Sequence, residues 1–76
     1  MHFVYILLSQ TTKRYYCGET ADLQDRITRH NAGRSKSTKA GIPWEVVKTF
    51  QVENRSEARI LERKIKSRRI SRFLTH

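Results

Sequence analysis

The sequence predicts an α+β domain built on a small, three-stranded, mainly antiparallel sheet flanked by helices. Two β-branched and aromatic segments lie close together near the N-terminus, and later segments carry apolar residues at helical spacing. The predicted elements follow the order β-β-α-β-α-α, without the repeating strand–helix–strand unit of a parallel sheet. A chain of 76 residues has room for one small core, so we expect a single domain over residues 1–76.

The strands are predicted from β-branched and aromatic runs between turn signals. Residues 3–8 are apolar on both alternating faces, which indicates a strand covered on both sides and therefore central in its sheet. The polar segment 9–13 is short, so residues 14–18 are expected to pair with the first strand as an antiparallel hairpin. A third strand is expected over residues 44–52, after the break at Pro43.

The first helix is predicted to begin at a cap formed by Thr20 or Asp22 and to run to about Asn31. Gly33 is a natural stop for this helix, because glycine adopts the left-handed conformation that ends many helices. The residues expected on one face of the helix are Leu23, Ile27 and His30.

A second helix is predicted to begin at Asn54, with Glu57 three residues later in a pattern typical of a capping box. Its buried stripe is expected to contain Ala58, Leu61 and Ile65. Ser67 is expected to break this helix, and residues 68–74 are predicted to form a short third helix.

The charge of the chain points to a polyanionic partner. Sixteen Lys and Arg residues oppose seven Asp and Glu residues, which gives a net charge of +9 and a pI of about 10.5. Nucleic acid is the commonest partner of so basic a domain, and an acidic membrane surface is the next. A highly charged surface without a specific partner is the remaining alternative.

The single cysteine, Cys17, excludes an internal disulfide and a zinc site made of several cysteines. No segment approaches the roughly 18 apolar residues of a membrane span, and the longest apolar run lacks the flanking features of a signal peptide. We therefore expect a cytoplasmic protein that does not act at a membrane.

Five polar side chains stand out as candidates for chemistry. Tyr5 lies on the first predicted strand and Tyr16 on the second, while Arg26 and His30 share one face of the first helix because they are four residues apart. Glu62 lies beside the buried stripe of the second helix. A carboxylate in that position is costly unless it is paired or binds a cation.

In their order and spacing, these residues resemble the motifs of the GIY-YIG nuclease superfamily. The resemblance is carried by the segments Val4-Tyr5-Ile6, Tyr16-Cys17-Gly18 and Asp25-Arg26-Ile27, and by His30, Ala58, Glu62 and Lys66. It extends over most of the chain and is closest to the small, stand-alone, single-domain bacterial members. Other members of the family are repair, restriction and homing endonucleases.

The resemblance implies metal-dependent cleavage of a phosphodiester at a site on one face of the sheet. It implies that Glu62 binds one Mg²⁺ or Mn²⁺ ion and that Arg26 holds the scissile phosphate. It also implies that Tyr5 and Tyr16 orient or activate the attacking water and that His30 assists in proton handling. Which of these last three side chains takes the proton is left open by the sequence.

Each of these residues also has a simpler structural interpretation. Tyr5 and Tyr16 are typical half-buried strand residues, and Cys17 a typical small core residue. Arg26 is spaced to pair with Asp22, Glu62 is spaced to pair with Lys66, and His30 is placed to interact with a helix C-terminus. Gly18 permits either a close approach of another group to the backbone or a turn.

Three positions depart from the family pattern. Phe3 replaces the first Gly of the family name, a change that we count as neutral. Glu19 follows the second motif, where repair-type members often have Lys. Repair-type and restriction-type members place an Asn after the metal-binding Glu to hold phosphate, whereas no Asn follows Glu62 here. Ser67, Arg68 or Arg69 are candidate substitutes. The last two departures motivate a second hypothesis, a nucleic-acid-binding module that lacks activity.

Two clusters of basic residues are predicted to bind the phosphate backbone beside this site. Residues 54–76 hold eight of the sixteen basic residues, and the segment 34–39 holds three more. An ordinary solvated helix face is the alternative interpretation. The residues that we expect to contact nucleic acid are Arg34, Lys36, Lys39, Arg63, Lys66, Arg68 and Arg69.

We predict a metal-dependent endonuclease that acts on DNA, prefers certain DNA structures and takes part in DNA repair or processing, with RNA not excluded as a substrate. No segment is typical of a major-groove reader, so sequence preference should be weak. A homodimer or a protein partner would supply further specificity to so short a chain. The alternatives are an inactive binding module and a small interaction protein that recruits other factors.

Overall fold

A computed structural model describes residues 1–70. Strand β1 (His2–Ser9) lies between β2 (Tyr15–Thr20) and β3 (Trp44–Val52), and both pairings are antiparallel. Helix α1 (Leu23–Asn31) follows β2, and helix α2 (Arg55–Ser67) follows β3. This architecture confirms the predicted three-stranded sheet, the central place of the first strand and the order β-β-α-β-α.

The two helices lie on opposite faces of the sheet, and each covers its own apolar cluster. β1 supplies buried residues to both clusters, as predicted from the apolar character of both of its faces. The cluster beneath α2 contains Val4, Ile6, Cys17, Ala58 and Ile65. The cluster beneath α1 contains Tyr5, Leu7 and Trp44, with Tyr16, Leu23, Ile27 and Ile42 packed against it.

The ends of α1 follow the predicted signals. The Asp22 carboxylate accepts a hydrogen bond from the Asp25 N–H at 3.0 Å, so Asp22 rather than Thr20 is the N-cap. Gly33 adopts a φ of 78° just after the helix, in the left-handed region that glycine favours. At the same end, the Arg34 N–H donates to the Arg29 carbonyl at 3.1 Å.

Helix α2 begins as predicted, but the chain beyond it differs from the prediction. The Asn54 side chain accepts a hydrogen bond from the Glu57 N–H at 2.9 Å, and the helix ends at Ser67. Arg69 then has a φ of 68°, which is incompatible with a right-handed helix. The prediction of a third helix from residue 68 is therefore wrong at its start, while its residues 71–74 lie outside the described part of the chain.

The loop between α1 and β3 has local structure of its own. It contains a short 3₁₀ helix, Lys39–Gly41, and it buries Thr38 at 1% exposure.

Within residues 1–70, no helix is both long and apolar enough to cross a membrane.

The pairing of β1 with β2 places Gly18 directly opposite Tyr5. A Cβ atom on Gly18 would lie 2.4 Å from the Tyr5 hydroxyl oxygen and 2.6 Å from the ring carbon that carries it. Contacts this short are not tolerated, so the Tyr5 ring can lie over the β2 backbone only because Gly18 has no side chain. Gly18 therefore allows a close approach and does not form a turn.

Replacing Gly18 with Ala should displace the Tyr5 ring and lower the free energy of unfolding by about 1–3 kcal/mol, as overpacking of a filled core usually does. Urea denaturation measures this change. Thr49→Ala is the matched control, because Thr49 faces Tyr5 from the other neighbouring strand and is exposed. The control should stay within about 0.5 kcal/mol of wild type. A Gly18→Ala variant as stable as the control would contradict the steric argument.

Candidate active site

The Tyr5 hydroxyl lies at the centre of the candidate site. Tyr5 is only 1% exposed, and its hydroxyl oxygen lies 3.0 Å from Nε2 of His30, which α1 brings over this face of the sheet. Burial raises the pKa of Tyr5 well above its usual value. The negative charge of Glu62 raises this pKa further, while the Arg26 guanidinium lowers it. The free protein therefore holds Tyr5 in its neutral form.

Tyr16 joins Tyr5 in an aromatic cluster on the α1 side of the sheet. Its half-buried ring meets the His30 ring edge-on at a centroid distance of 5.1 Å, and its centroid lies 6.4 Å from that of Tyr5. Trp44 contacts the far side of the cluster, with its centroid 6.2 Å from that of Tyr16. Of the two candidate tyrosines, Tyr16 is the more accessible from solvent.

His30 is held at both ring nitrogens. In addition to the contact with Tyr5, its Nδ1 lies 2.8 Å from the hydroxyl oxygen of Thr38. His30 is 1% exposed, and burial lowers its pKa, as does the nearby charge of Arg26. The imidazole is therefore neutral at pH 7. Because the ring points into the core and the helix end is closed by backbone hydrogen bonds, His30 does not act as a helix cap.

A cluster of guanidinium groups lies beside His30. A cavity of about 380 Å³ is lined by Arg26, Arg29, His30, Arg34 and Ser35. Arg26 is exposed and makes no ion pair within residues 1–70, since the Asp22 carboxylate caps α1 instead. The alternative Asp22–Arg26 pair is thus not formed. Several guanidinium groups around one cavity can bind a phosphate, because its oxygens accept hydrogen bonds from their planar, permanently charged N–H donors.

Sequence reasoning missed Arg29 as a member of this cavity. Its Nε lies 3.0 Å from an Asp25 carboxylate oxygen, and both side chains are more than half exposed. An exposed ion pair of this kind contributes little to stability and leaves the rest of the guanidinium available. Its spacing of three residues from Arg26, on the same helix, was the signal that could have identified it.

Glu62 reaches the site from α2, on the other side of the sheet. Its side chain is 21% exposed, and its Oε2 lies 2.8 Å from the Lys66 ammonium, as the structural alternative predicted. This hydrogen bond raises the pKa of Lys66. A second cavity, of about 280 Å³, is lined by Glu62, Lys66, Arg59 and Arg63. Arg59 is one of the eight basic residues that the sequence analysis placed in the segment 54–76.

The charge of Glu62 acts on both faces of the sheet at the edge formed by β2. It raises the pKa of Tyr5 on the α1 face, and it adds to the burial that raises the pKa of Cys17 to about 11 on the α2 face. The Cys17 thiol is buried and stays protonated at pH 7, which is consistent with a core residue.

The donor atoms at Glu62 suit a cation that keeps most of its water. Within residues 1–70 no group of three or more His, Cys, Asp or Glu side chains could enclose a metal ion. Zinc and calcium sites ordinarily need several protein ligands, whereas Mg²⁺ is often held by one or two carboxylates, waters and substrate phosphate. Glu62 fits this last arrangement, although Lys66 already binds one of its oxygens.

Glu19 lines a further cavity together with Arg26, and its carboxylate has local partners. Its carboxylate oxygens lie 2.5 Å from His2 Nε2 and 3.8 Å from Arg55 Nε. It pairs across the strands with Val4, on the face covered by α2. The departure from the family pattern at this position is therefore compensated locally.

The predicted nucleic-acid contacts divide into two groups. Arg34 lines the cavity beside Arg26, while Arg63 and Lys66 line the cavity beside Glu62. The others are exposed but line neither cavity: Lys36, Lys39, Arg68 and Arg69.

Similar proteins share most of this chain. It is 34% identical over 58 residues to a UPF0213 protein of Lactococcus lactis subsp. cremoris, which covers 75% of the chain and 58% of that protein. It is 37% identical over 67 residues to a UPF0213 protein of Halobacterium salinarum, covering 87% of the chain and 86% of the relative. The chain thus spans less than two thirds of the lactococcal relative's length.

A solved structure and a family model extend the comparison. The solution NMR structure of a UPF0213 protein from Bacillus halodurans matches with a TM-score of 0.53 and 33% identity, over 87% of this chain and 70% of that one. A model of the GIY-YIG catalytic domain matches residues 1–72. The aromatic and guanidinium groups around Tyr5 and the match over nearly the whole chain lead to the same conclusion: the chain belongs to the GIY-YIG family.

Proposed function

We propose that this protein is a metal-dependent endonuclease that hydrolyses phosphodiester bonds in DNA. The observation that carries the proposal is the convergence of its charged and aromatic groups on the Tyr5 hydroxyl. His30 binds that hydroxyl directly, the Tyr16 ring lies with its centroid 6.4 Å from that of Tyr5, and Arg26 lines a cavity together with His30. Family membership supports a nuclease-type activity, and the net charge of +9 supports a nucleic-acid substrate.

Arg26 is the residue proposed to hold the scissile phosphate. It is exposed, lines a cavity with Arg29 and Arg34, and has no carboxylate partner within residues 1–70. A phosphate in this cavity would lie beside His30 and would receive charge-assisted hydrogen bonds from guanidinium groups. Such donors also stabilise the negative charge that develops on the phosphoryl oxygens during hydrolysis.

Tyr5 and His30 are proposed to take the proton of the attacking water, which Tyr16 orients. The water gives a proton to the Tyr5 oxygen as the Tyr5 proton passes to His30 Nε2 over their 3.0 Å contact. The resulting hydroxide attacks phosphorus, the bond to the leaving oxygen breaks, and that oxygen takes a proton from solvent, while protonated His30 returns its proton to solvent. Because its pKa is raised, Tyr5 stays protonated and cannot accept the proton of water unless it gives up its own. The neutral His30 is therefore needed as the final acceptor.

Glu62 is the residue proposed to hold one Mg²⁺ or Mn²⁺ ion. A bound divalent cation neutralises charge on the phosphate and lowers the pKa of bound water. The oxygen of Glu62 that Lys66 does not bind is the available ligand. Lys66 would then remain beside the bound ion as a second positive charge.

DNA with distorted or branched structure is the proposed substrate class, with repair or processing of DNA as the role. Both helices pack their apolar faces on the sheet, and basic side chains lie beside the two cavities. Contacts of this kind bind the phosphate backbone and carry little sequence information. Recognition would therefore depend on the shape and flexibility of the substrate.

A second candidate function is binding of nucleic acid without cleavage. The observation that favours it is the ion pair between Glu62 and Lys66, whose ammonium lies where a metal ion would otherwise compensate the carboxylate. Under this alternative, the cavities lined by arginines bind phosphate and the tyrosines have structural roles.

Glu62→Gln should lower the rate of DNA cleavage by at least about 100-fold, because removing the charge removes the metal ligand while conserving the shape of the side chain. Labelled supercoiled, linear, branched and single-stranded DNA, together with RNA, would be incubated with Mg²⁺ or Mn²⁺ at low salt. Arg26→Ala should lower cleavage similarly, and a chelator should abolish it. Binding should persist in Glu62→Gln.

Glu45→Gln is the matched control, since Glu45 is exposed on β3. In the described part of the chain, its carboxylate accepts a side-chain hydrogen bond only from Gln10. Its cleavage rate should equal that of wild type. Cleavage that survives in Glu62→Gln would disprove the metal-binding role of Glu62. Salt-sensitive binding without cleavage of any substrate by the wild type would favour the second candidate function.

Binding of duplex DNA should weaken steeply with salt, with a slope of log K against log salt of about 0.9 per neutralised phosphate. Replacing both Arg34 and Arg63 with Gln should reduce this slope by about one for each residue. The control is the double variant Lys48→Gln and Lys64→Gln, which removes the same charge from residues that line neither cavity. Fluorescence anisotropy at several salt concentrations measures all three proteins.

Equal slopes for the two double variants would mean that the cavities are not the phosphate-binding surface. Binding that does not depend on salt would argue against nucleic acid as the partner and would favour a small interaction protein.

A further inference from the structure

Thr38 is a buried polar residue to which neither the sequence motifs nor the family assigned a role. It is 1% exposed, and its hydroxyl oxygen lies 2.8 Å from His30 Nδ1 and 3.4 Å from the Ser35 carbonyl oxygen. Its own carbonyl accepts a hydrogen bond from the Trp44 indole N–H at 2.7 Å. The indole thus fixes the backbone of Thr38 against β3, and the hydroxyl is directed at the imidazole.

The three side chains form one continuous chain of hydrogen bonds that ends at a backbone carbonyl. Each of these side chains has one hydrogen to donate: Tyr5 and Thr38 their hydroxyl hydrogens, and neutral His30 its single ring hydrogen. The acceptors along the chain are His30 Nε2, the Thr38 oxygen and the Ser35 carbonyl oxygen. The Ser35 carbonyl can only accept, so it defines the end towards which the hydrogens point.

Only one direction satisfies all three hydrogens with acceptors that the described part of the protein supplies. Tyr5 O–H donates to His30 Nε2, the His30 Nδ1–H donates to the Thr38 oxygen, and the Thr38 O–H donates to Ser35. In the reverse direction Nε2–H donates to the Tyr5 oxygen, and the Tyr5 O–H has no acceptor within residues 1–70. A buried hydroxyl without an acceptor is costly, because it loses its hydrogen bond to water and gains none in return.

From this geometry we infer that Thr38 is a positioning residue that fixes His30 in the Nδ1–H tautomer. The lone pair of Nε2 then faces the Tyr5 hydroxyl, and His30 is able to take the Tyr5 proton. In the other tautomer Nε2 already carries a hydrogen and cannot accept one. This inference deepens the proposed function and rests on it for its consequence in catalysis, but the tautomer itself is a property of the free protein.

The position of Ser35 links this hydrogen-bond chain to the proposed phosphate cavity. Ser35 lines the cavity together with Arg26, Arg29 and Arg34, and its carbonyl also accepts from the Thr38 N–H at 3.2 Å. The loop that accepts the last hydrogen bond of the chain is therefore also a wall of the phosphate site. Thr38 acts through His30 and does not itself reach the cavity.

The test is the tautomer of His30, measured by ¹⁵N NMR of the imidazole nitrogens at about pH 8, above the ordinary histidine pKa of about 6.5. Wild type should show a protonated Nδ1 and an unprotonated Nε2. Thr38→Ser keeps the hydroxyl and should keep this tautomer. Thr38→Val keeps the shape but removes the acceptor, so the population should shift towards the Nε2–H form. A His30→Gln variant assigns the signals.

Cleavage supplies a second readout. Thr38→Val should lower kcat at least about tenfold with little change in KM, a part of the roughly 10²–10⁴-fold that positioned acid–base groups contribute. Thr38→Ser should recover most of this loss. Thermal denaturation of both variants separates loss of folding from loss of positioning.

An Nε2–H tautomer in the wild type, or a tautomer unchanged in folded Thr38→Val, would overturn the inference. If Thr38→Val does not fold, the tautomers of wild type and Thr38→Ser still decide the question. If no substrate is cleaved, the proposed function fails while the NMR result stands independently.

Discussion

The contact between the Tyr5 ring and the bare backbone at Gly18 is the constraint on which the site depends. It lets an aromatic side chain on the central strand cross the edge strand β2, so that its hydroxyl meets His30 from α1. A ring held this way is buried and neutral, and it is hydrogen-bonded at its only polar atom. The candidate site is therefore a continuation of the core beneath α1, which explains how so small a domain can fix the positions of its candidate catalytic groups.

The two halves of the site come from opposite faces of the sheet. The α1 face supplies the aromatic cluster, the imidazole and the guanidinium groups, and α2 supplies Glu62. The charge of Glu62 raises the pKa of Tyr5 on one face and of Cys17 on the other. The proposed hydrolysis requires the phosphate that contacts Arg26 and the cation held by Glu62 to meet.

The sequence predicted those features that depend on local pattern. The two-sided apolar character of residues 3–8 identified the central strand, and Asp22 and Gly33 marked the ends of α1. The failures involve tertiary contacts. Thr38 lies in a segment of polar residues, and nothing in that segment indicates that an indole and an imidazole bury it. The left-handed backbone conformation of Arg69, after α2, could not be predicted from periodicity either, because arginine rarely adopts a positive φ.

The most direct test of the account is the location of a bound divalent cation relative to the tyrosines. Substoichiometric Mn²⁺ added to ¹⁵N-labelled protein broadens the amide signals near the ion. The account predicts broadening around Glu62 on α2 and around Tyr5 and Gly18 on the adjacent strands, lost in Glu62→Gln and kept in Glu45→Gln. Broadening centred on other carboxylates and unchanged in Glu62→Gln would contradict a single site shared by the two faces of the sheet.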